Sequence, residues 1–222
     1  MVRAWRYLFL IAVVASCQAQ ESAPTEAHLR VSCSAGIGVL YLSARDVVDL
    51  VNSTASPFER VPQFRAVADF FASVALPIAD DLLIKAEYAY LSGSYAVPSA
   101  FGQAEYSIAV HAPSLILQYV LLDRGVYDLK IGAGGGIHFG TLTTTLVGQS
   151  NSYSANGPGF VAELEANTAF GDNLFAYLGG AVRWDLIGEL QSATGGRPLA
   201  TGTPVTLHFF GVSARLGLTY YF

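Results

Sequence analysis

The chain has 222 residues, of which 52% are hydrophobic and only 13% charged, and its formal net charge is −5. This acidic balance, with no lysine-rich tract, excludes a nucleic-acid partner. Beyond the first twenty residues no apolar run reaches the ~18 residues of a helical membrane span, so apolarity on this scale points to alternating strands in a single domain.

At the start of the chain, Arg3 and Arg6 precede an apolar run over residues 7–15, followed by small and polar residues. That order is an export signal. Cleavage after Ala19 divides the chain into a signal peptide (1–19), a short segment (20–28) and a barrel domain (29–222). A competing reading is the lipobox-like Val14-Ala15-Ser16-Cys17, which would make Cys17 a lipidated first residue. Simple cleavage is preferred, because a barrel holds its membrane without an anchor. With Cys17 removed, Cys33 is alone and no internal disulfide is expected.

Side chains at i and i+2 of a strand share a face. Residues 29–42 place Leu29, Val31, Cys33, Ala35, Ile37, Val39 and Tyr41 outward. Ser43-Ala44-Arg45-Asp46 then resembles a capping box before Val47, Val48, Leu50 and Val51. That segment reads as a short amphipathic helix over the mouth or along the membrane interface, or equally as an extension of the first strand. The second strand, 64–76, turns Phe64, Phe70, Val74 and Leu76 outward, and the third, 82–91, turns Leu82, Ile84, Tyr88 and Tyr90. In the fourth, 105–121, the outward set is Tyr106, Ile108, Val110 and Ala112, then switches to Leu115, Leu117, Tyr119 and Leu121. The switch falls at Pro113, which cannot donate to a ladder, and predicts a β-bulge. The fifth strand, 127–143, shows Leu129, Ile131, Ile137 and Phe139; the sixth, 160–170, shows Phe160, Leu164 and Phe170. The seventh, 174–190, shows Leu178, Val182, Trp184 and Leu186; the eighth, 205–222, alternates down to a final phenylalanine.

These elements predict an all-β fold: an eight-stranded antiparallel transmembrane β-barrel behind an N-terminal signal peptide. Tight turns at 77–81, 123–125 and 171–173 alternate with long connections at 43–63, 92–104, 144–159 and 191–204. The long ones are rich in Gly, Ser, Thr and Asn, as mobile exposed loops are. Tyr41, Phe64, Tyr90, Tyr106, Phe139, Phe160, Trp184 and Phe210 form an upper aromatic girdle at the loop ends of the strands. Tyr119, Tyr127, Phe170, Tyr220 and Phe222 form a lower one, with a hydrocarbon band about 25 Å tall between them.

The closing Leu216-Gly217-Leu218-Thr219-Tyr220-Tyr221-Phe222 resembles the carboxy-terminal insertion signal of small bacterial outer-membrane barrels of the OmpA, OmpX and OmpW kind. Leu216, Leu218, Tyr220 and Phe222 are the alternate apolar residues of that signal. The resemblance covers nearly the whole barrel domain. It implies a place in the outer membrane of a Gram-negative bacterium, with both termini in the periplasm. It also implies outer-membrane lipid and the barrel-assembly machinery as partners, and a monomer with an extracellular ligand at the loops.

The inward bases are Arg30, Arg65, Lys85, Lys130, Arg183 and Arg215, and the inward acids Asp69, Glu87, Asp128, Glu163, Glu165, Asp185 and Glu189. Side chains just fill a barrel of eight strands, and an unpaired buried charge is costly. Asp69, Glu87, Glu163, Glu165, Arg183 and Arg215 are therefore expected to form a paired layer, with Arg65, Lys85 and Asp185 in the same network. Two bases among four acids leave the layer short of positive charge, so either water enters or one acid holds a proton. A balanced lumen of this kind makes a plug, whereas a selective pore favours a one-sign lining.

Other motifs carry less. Gly132, Gly134 and Gly136 suggest a phosphate loop, but the third glycine of that frame would be Ile137. Missing side chains there make room for long lumen groups. His111 and His138, both inward by parity, would approach Glu163, yet no spacing motif supports a metal. No metal and no cofactor are expected. His208 faces the membrane near Thr206 and Ser43 without an outward carboxylate, so no catalytic residue is assigned. The expected role is a non-enzymatic structural or surface-interaction protein of the envelope. A narrow passage for small apolar solutes of the OmpW kind is the alternative, on inward Leu42, Leu91, Ile187 and Phe209. A lipid-modifying enzyme using His208 is the third.

Overall fold

The computed structural model describes residues 30–54, 64–99, 102–200 and 202–222. The expected signal peptide and the segment behind it fall outside these residues. The chain begins with β1 (Ser32–Ser43) and helix α1 (Arg45–Thr54). It continues through β2 (Phe64–Ala79), β3 (Leu82–Ser99), β4 (Gly102–Asp123), β5 (Tyr127–Leu146), β6 (Gln149–Ala169) and β7 (Leu174–Glu189). A small hairpin of β8 (Leu199–Ala200) and β9 (Thr203–Pro204) precedes the last strand, β10 (Thr206–Tyr221). The eight long strands close into one antiparallel barrel in the order β1-β10-β7-β6-β5-β4-β3-β2. No helix among the described residues is long and apolar enough to cross a membrane.

Closure is made by β1 and β10, paired without interruption from Ser32↔Tyr221 to Ser43↔Phe210. No sheet edge is left within this span, which is what allows strands to sit in lipid. Over the lower barrel the expected parity holds. Ile37, Leu115, Leu117, Leu164, Leu178, Leu216 and Leu218 point out, and Asp69, Lys85, Glu163, Arg183 and Arg215 point in.

The upper barrel departs from expectation in three ways. First, the strands are far longer than the 9–11 residues that cross a bilayer: β4 has 22, β6 has 21 and β5 has 20. The segments expected as mobile loops at 92–104 and 144–159 are mostly strand, and only Val147 and Gly148 join β5 to β6. Second, there is no parity switch in β4. Tyr106, Ile108, Val110 and Ala112 are buried inward, in phase with Ser114, Ile116 and Gln118. Tyr106, at 5% exposure, is therefore not a girdle residue. Third, the bulge is elsewhere. The pairing of β3 with β4 runs unbroken through Tyr88↔Pro113, and the register between β4 and β5 is the same on both sides of the proline. The shift between β4 and β5 comes lower, between Val120 and Leu122. On β5 nearby, a side chain at Gly136 would strike the Pro113 carbonyl oxygen. The β4–β5 ladder lapses over residues 112–114 and resumes in the same register, so the missing donor is passed without an extra residue.

These departures share one cause. Above the girdle the sense of the alternation reverses, as it would where water replaces hydrocarbon outside the sheet. Ser92, Ser94, Ser107, Thr141 and Thr143 lie outward on this extension, while Tyr95, Val97, Ala104, Ile108 and Leu142 are buried inside it. The result is an apolar core in the upper lumen, comprising Leu40, Leu42, Val67, Leu91, Val110, Ile187, Leu207 and Phe209. Helix α1 closes it. Ala44, Val47, Val48, Leu50 and Val51 join that core, as the i, i+3, i+4 spacing of an amphipathic helix requires. The helix thus lies over the mouth, not along the membrane interface. Asp46 in its first turn accepts a hydrogen bond from Thr206 Oγ1 and meets the positive end of the helix dipole.

Candidate functional site: the charged lumen

Nearest the turns, Lys130 Nζ donates to Tyr221 Oη at 2.8 Å and lies 3.1 Å from Asp128 and 3.2 Å from Glu165. Tyr221 donates its own proton to Asp128 at 2.5 Å. Asn167 Nδ2 bridges Asp128 (2.8 Å) and Glu165 (2.9 Å), and its carbonyl accepts from Thr219 at 2.8 Å. Thr219 has then used its hydrogen, so Ser34 donates to it at 2.8 Å.

One level higher, Lys85 Nζ sits between Glu163 at 2.7 Å and Glu165 at 3.1 Å, with Glu87 at 3.4 Å. Gln118 Nε2 clamps the same two glutamates at 2.8 and 2.9 Å. Arg215 takes the remaining pair. Its Nε is 2.8 Å from Asp69, and its Nη1 is 3.0 Å from both oxygens of Glu87. The guanidinium also packs over the Phe71 ring, 4.8 Å from the centroid. Each ion has left water, at a cost of several kcal/mol apiece. Several charge-assisted bonds per ion offset that loss where a single pair would not.

Arg183 breaks the pattern. It is fully buried, none of its three guanidinium nitrogens has a hydrogen-bond partner, and its nearest acid is Glu87 at 3.9 Å. Two residues along β7, Asp185 pairs through Oδ1 with His138 Nδ1, and its other oxygen has no partner. His138 Nε2 faces Ser114 Oγ at 3.1 Å. The imidazole fits because residue 159 is glycine, since a Cβ there would overlap the His138 ring and Asp185.

Asp69, Lys85, Glu87, Glu163, Glu165, Arg183, Asp185 and Arg215 all point into the lumen as expected. They form a stack of levels and not one layer. Arg65 pairs through its backbone with Leu42, but its side chain lies outside the described residues, as does that of Phe64. Arg30 precedes β1 and is exposed, and Glu189 is an exposed rim residue 2.9 Å from Arg197. His111 is outward, contrary to the parity expectation. Its Nδ1 meets Tyr88 Oη at 2.5 Å and its ring lies against Tyr90, so it cannot share a ligand with His138. The cause is the same unbroken phase of β4 that buries Tyr106. Leu216, Leu218, Tyr220 and Phe222 are outward, as are Tyr41, Tyr90, Phe139, Phe160, Trp184 and Phe210. Ser34, Ser114, Gln118, Asn167, Thr219 and Tyr221 complete the network, and nothing in the sequence pattern marks them as special. They share the inward parity of the charges, which is the one signal that could find them.

No protein-family model matches the chain, and no curated protein matches it. Its fold is similar to that of solved outer-membrane barrels. Ail, the attachment invasion locus protein of Yersinia pestis, superposes with a TM-score of 0.54 at 11% identity, over 88% of this chain and 100% of that one. Neisserial surface protein A gives 0.53 at 14%, over 86% and 97%. A major outer membrane protein from Thermus thermophilus gives 0.55 at 12%, over 87% and 100%. At such identities the likeness is one of fold: a small eight-stranded barrel of the outer-membrane type.

Proposed function

We propose that the protein is a sealed outer-membrane barrel acting as a structural and surface-interaction component of the bacterial envelope. The observation that carries this reading is the filled lumen. Crosslinked ions block the lower half, and the upper half is an apolar core under helix α1. A cavity in that core, among Leu42, Val67, Leu91, Val110, Leu207 and Phe209, is only about 10 Å³, no more than a single water would need. That size also counts against a passage for apolar solutes, although the lining has the right character for one.

In this reading both termini are periplasmic, and the water-exposed extension of β3, β4, β5 and β6 is the contact surface for an extracellular ligand. The chain acts as a monomer, inserted by the barrel-assembly machinery through Leu216, Leu218, Tyr220 and Phe222. Recording from planar bilayers tests the seal: the protein should give no discrete conductance, and reproducible open levels would overturn the reading. Orientation is checked separately in intact cells. An impermeant thiol reagent should label Thr143→Cys on the extension and spare Asp172→Cys at a turn.

A further inference from the structure

The sealed surface role gives the hydrogen-bonded series Ser114, His138 and Asp185 no task beyond filling the lumen. We propose that these three residues form a serine acyl-hydrolase site at the floor of the upper lumen, with helix α1 as its lid and a fatty acyl ester as its substrate class.

The geometry is that of a nucleophile, a base and an orienter. An ionised carboxylate only accepts hydrogen bonds, so Asp185 Oδ1 places the imidazole proton on His138 Nδ1. Nε2 then carries the lone pair, and Ser114 Oγ donates to it at 3.1 Å. This is the tautomer that general-base activation of a serine requires. The residues come from three strands and meet only in the lumen: Ser114 on β4, His138 on β5 and Asp185 on β7. The glycine at 159 keeps the imidazole's space clear. Arg183, on the same face two residues from Asp185, is fully buried with no hydrogen-bond partner on any of its three guanidinium nitrogens, its nearest acid being Glu87 at 3.9 Å. Such groups are rare, and this one is the candidate donor for a developing oxyanion.

The surroundings select the substrate. The next inward residues above the three are Ala112, Gly140 and Ile187, and Ala112 and Ile187 belong to the apolar core that helix α1 covers. A chain entering from the open end would replace Val47, Val48 and Val51 of the helix with its own methylenes, which describes an acyl tail and not a polar ester. In the reaction, Ser114 Oγ attacks the carbonyl carbon as its proton moves to His138 Nε2. The ester C–O bond breaks, and the leaving alcohol takes that proton. Water then repeats the sequence on the acyl-serine, releasing the carboxylic acid and restoring Ser114.

The test uses the full chain folded in detergent, a long-chain alkyl fluorophosphonate, and intact mass with peptide mapping. Folding of every variant is checked by heat-modifiable gel mobility. A lid variant, Val48→Asp with Val51→Asp, opens the route to the floor. The expected result is one adduct on Ser114, faster in the lid variant, lost in Ser114→Ala and slowed about a hundredfold or more in His138→Ala. Hydrolysis of a decanoyl ester should exceed that of an acetyl ester. Absence of a Ser114 adduct from both folded wild type and folded lid variant overturns the proposal, as does a rate indifferent to His138. Neither result bears on the conductance test of the seal.

Discussion

Arg215 and Glu87 face each other through the lumen from β10 and β3, with Nη1 3.0 Å from each carboxylate oxygen. The same guanidinium holds Asp69 at 2.8 Å, so one cation ties together strands on opposite sides of the β1–β10 closure. Arg215→Ala takes a hydrogen-bonded cation from two buried carboxylates, of which Glu87 keeps only Lys85 at 3.4 Å and Arg183 at 3.9 Å, and breaking such a pair costs about 3–5 kcal/mol. Urea unfolding in detergent should show that loss, together with a lower temperature for the gel-mobility shift. Unchanged values would mean that the charge layer does not hold the barrel.

The reversal of alternation above the girdle makes a prediction about the medium at each outward position. In a Cys33→Ser background reconstituted in vesicles, Ser107→Cys and Thr143→Cys should react rapidly with a water-soluble maleimide. Leu117→Cys and Leu164→Cys, outward but lower, should be protected. Equal reactivity at both levels would remove the water-surrounded extension from the account.

The β5–β6 hairpin carries a local strain. Val147 has φ 50° and Gly148 has φ 77°, both in the left-handed region that a two-residue hairpin turn requires. A β-branched residue is poorly suited there. Val147→Asn should relieve about 1–2 kcal/mol, read as slower hydrogen exchange of the hairpin amides. Faster exchange would contradict the strain.

Helix α1 is held by apolar burial, since Val47, Val48 and Val51 are all at most 1% exposed. An unpaired carboxylate at position 48 costs more to bury than the helix gains by docking. Val48→Asp should therefore release residues 45–54 to proteolysis while the barrel keeps its heat-resistant mobility. A helix that stays protected would show that other contacts dock it.

How much is readable from sequence depends on contrast between the two faces. Along β10, Arg215 between Ala214 and Leu216 leaves no doubt about direction, and the eight-strand count follows from repeats of that pattern. At 104–112 one face is apolar whichever medium surrounds it, and the proline suggests a switch that the backbone does not make. Tyr106 and His111 are misplaced for that reason. The Ser114, His138 and Asp185 grouping is invisible in the sequence, because its members lie on three strands and are brought together by barrel shear and a glycine beside the ring.

Alternation alone determined that this chain is a barrel with hydrocarbon around its lower strands and ions within, because a two-residue period is a local property of each strand. Which ion meets which, how far the strands run past the girdle, and what covers the mouth were decided only by the closed sheet. Those relations span the lumen, where neighbours are set by strand tilt and register rather than by position along the chain.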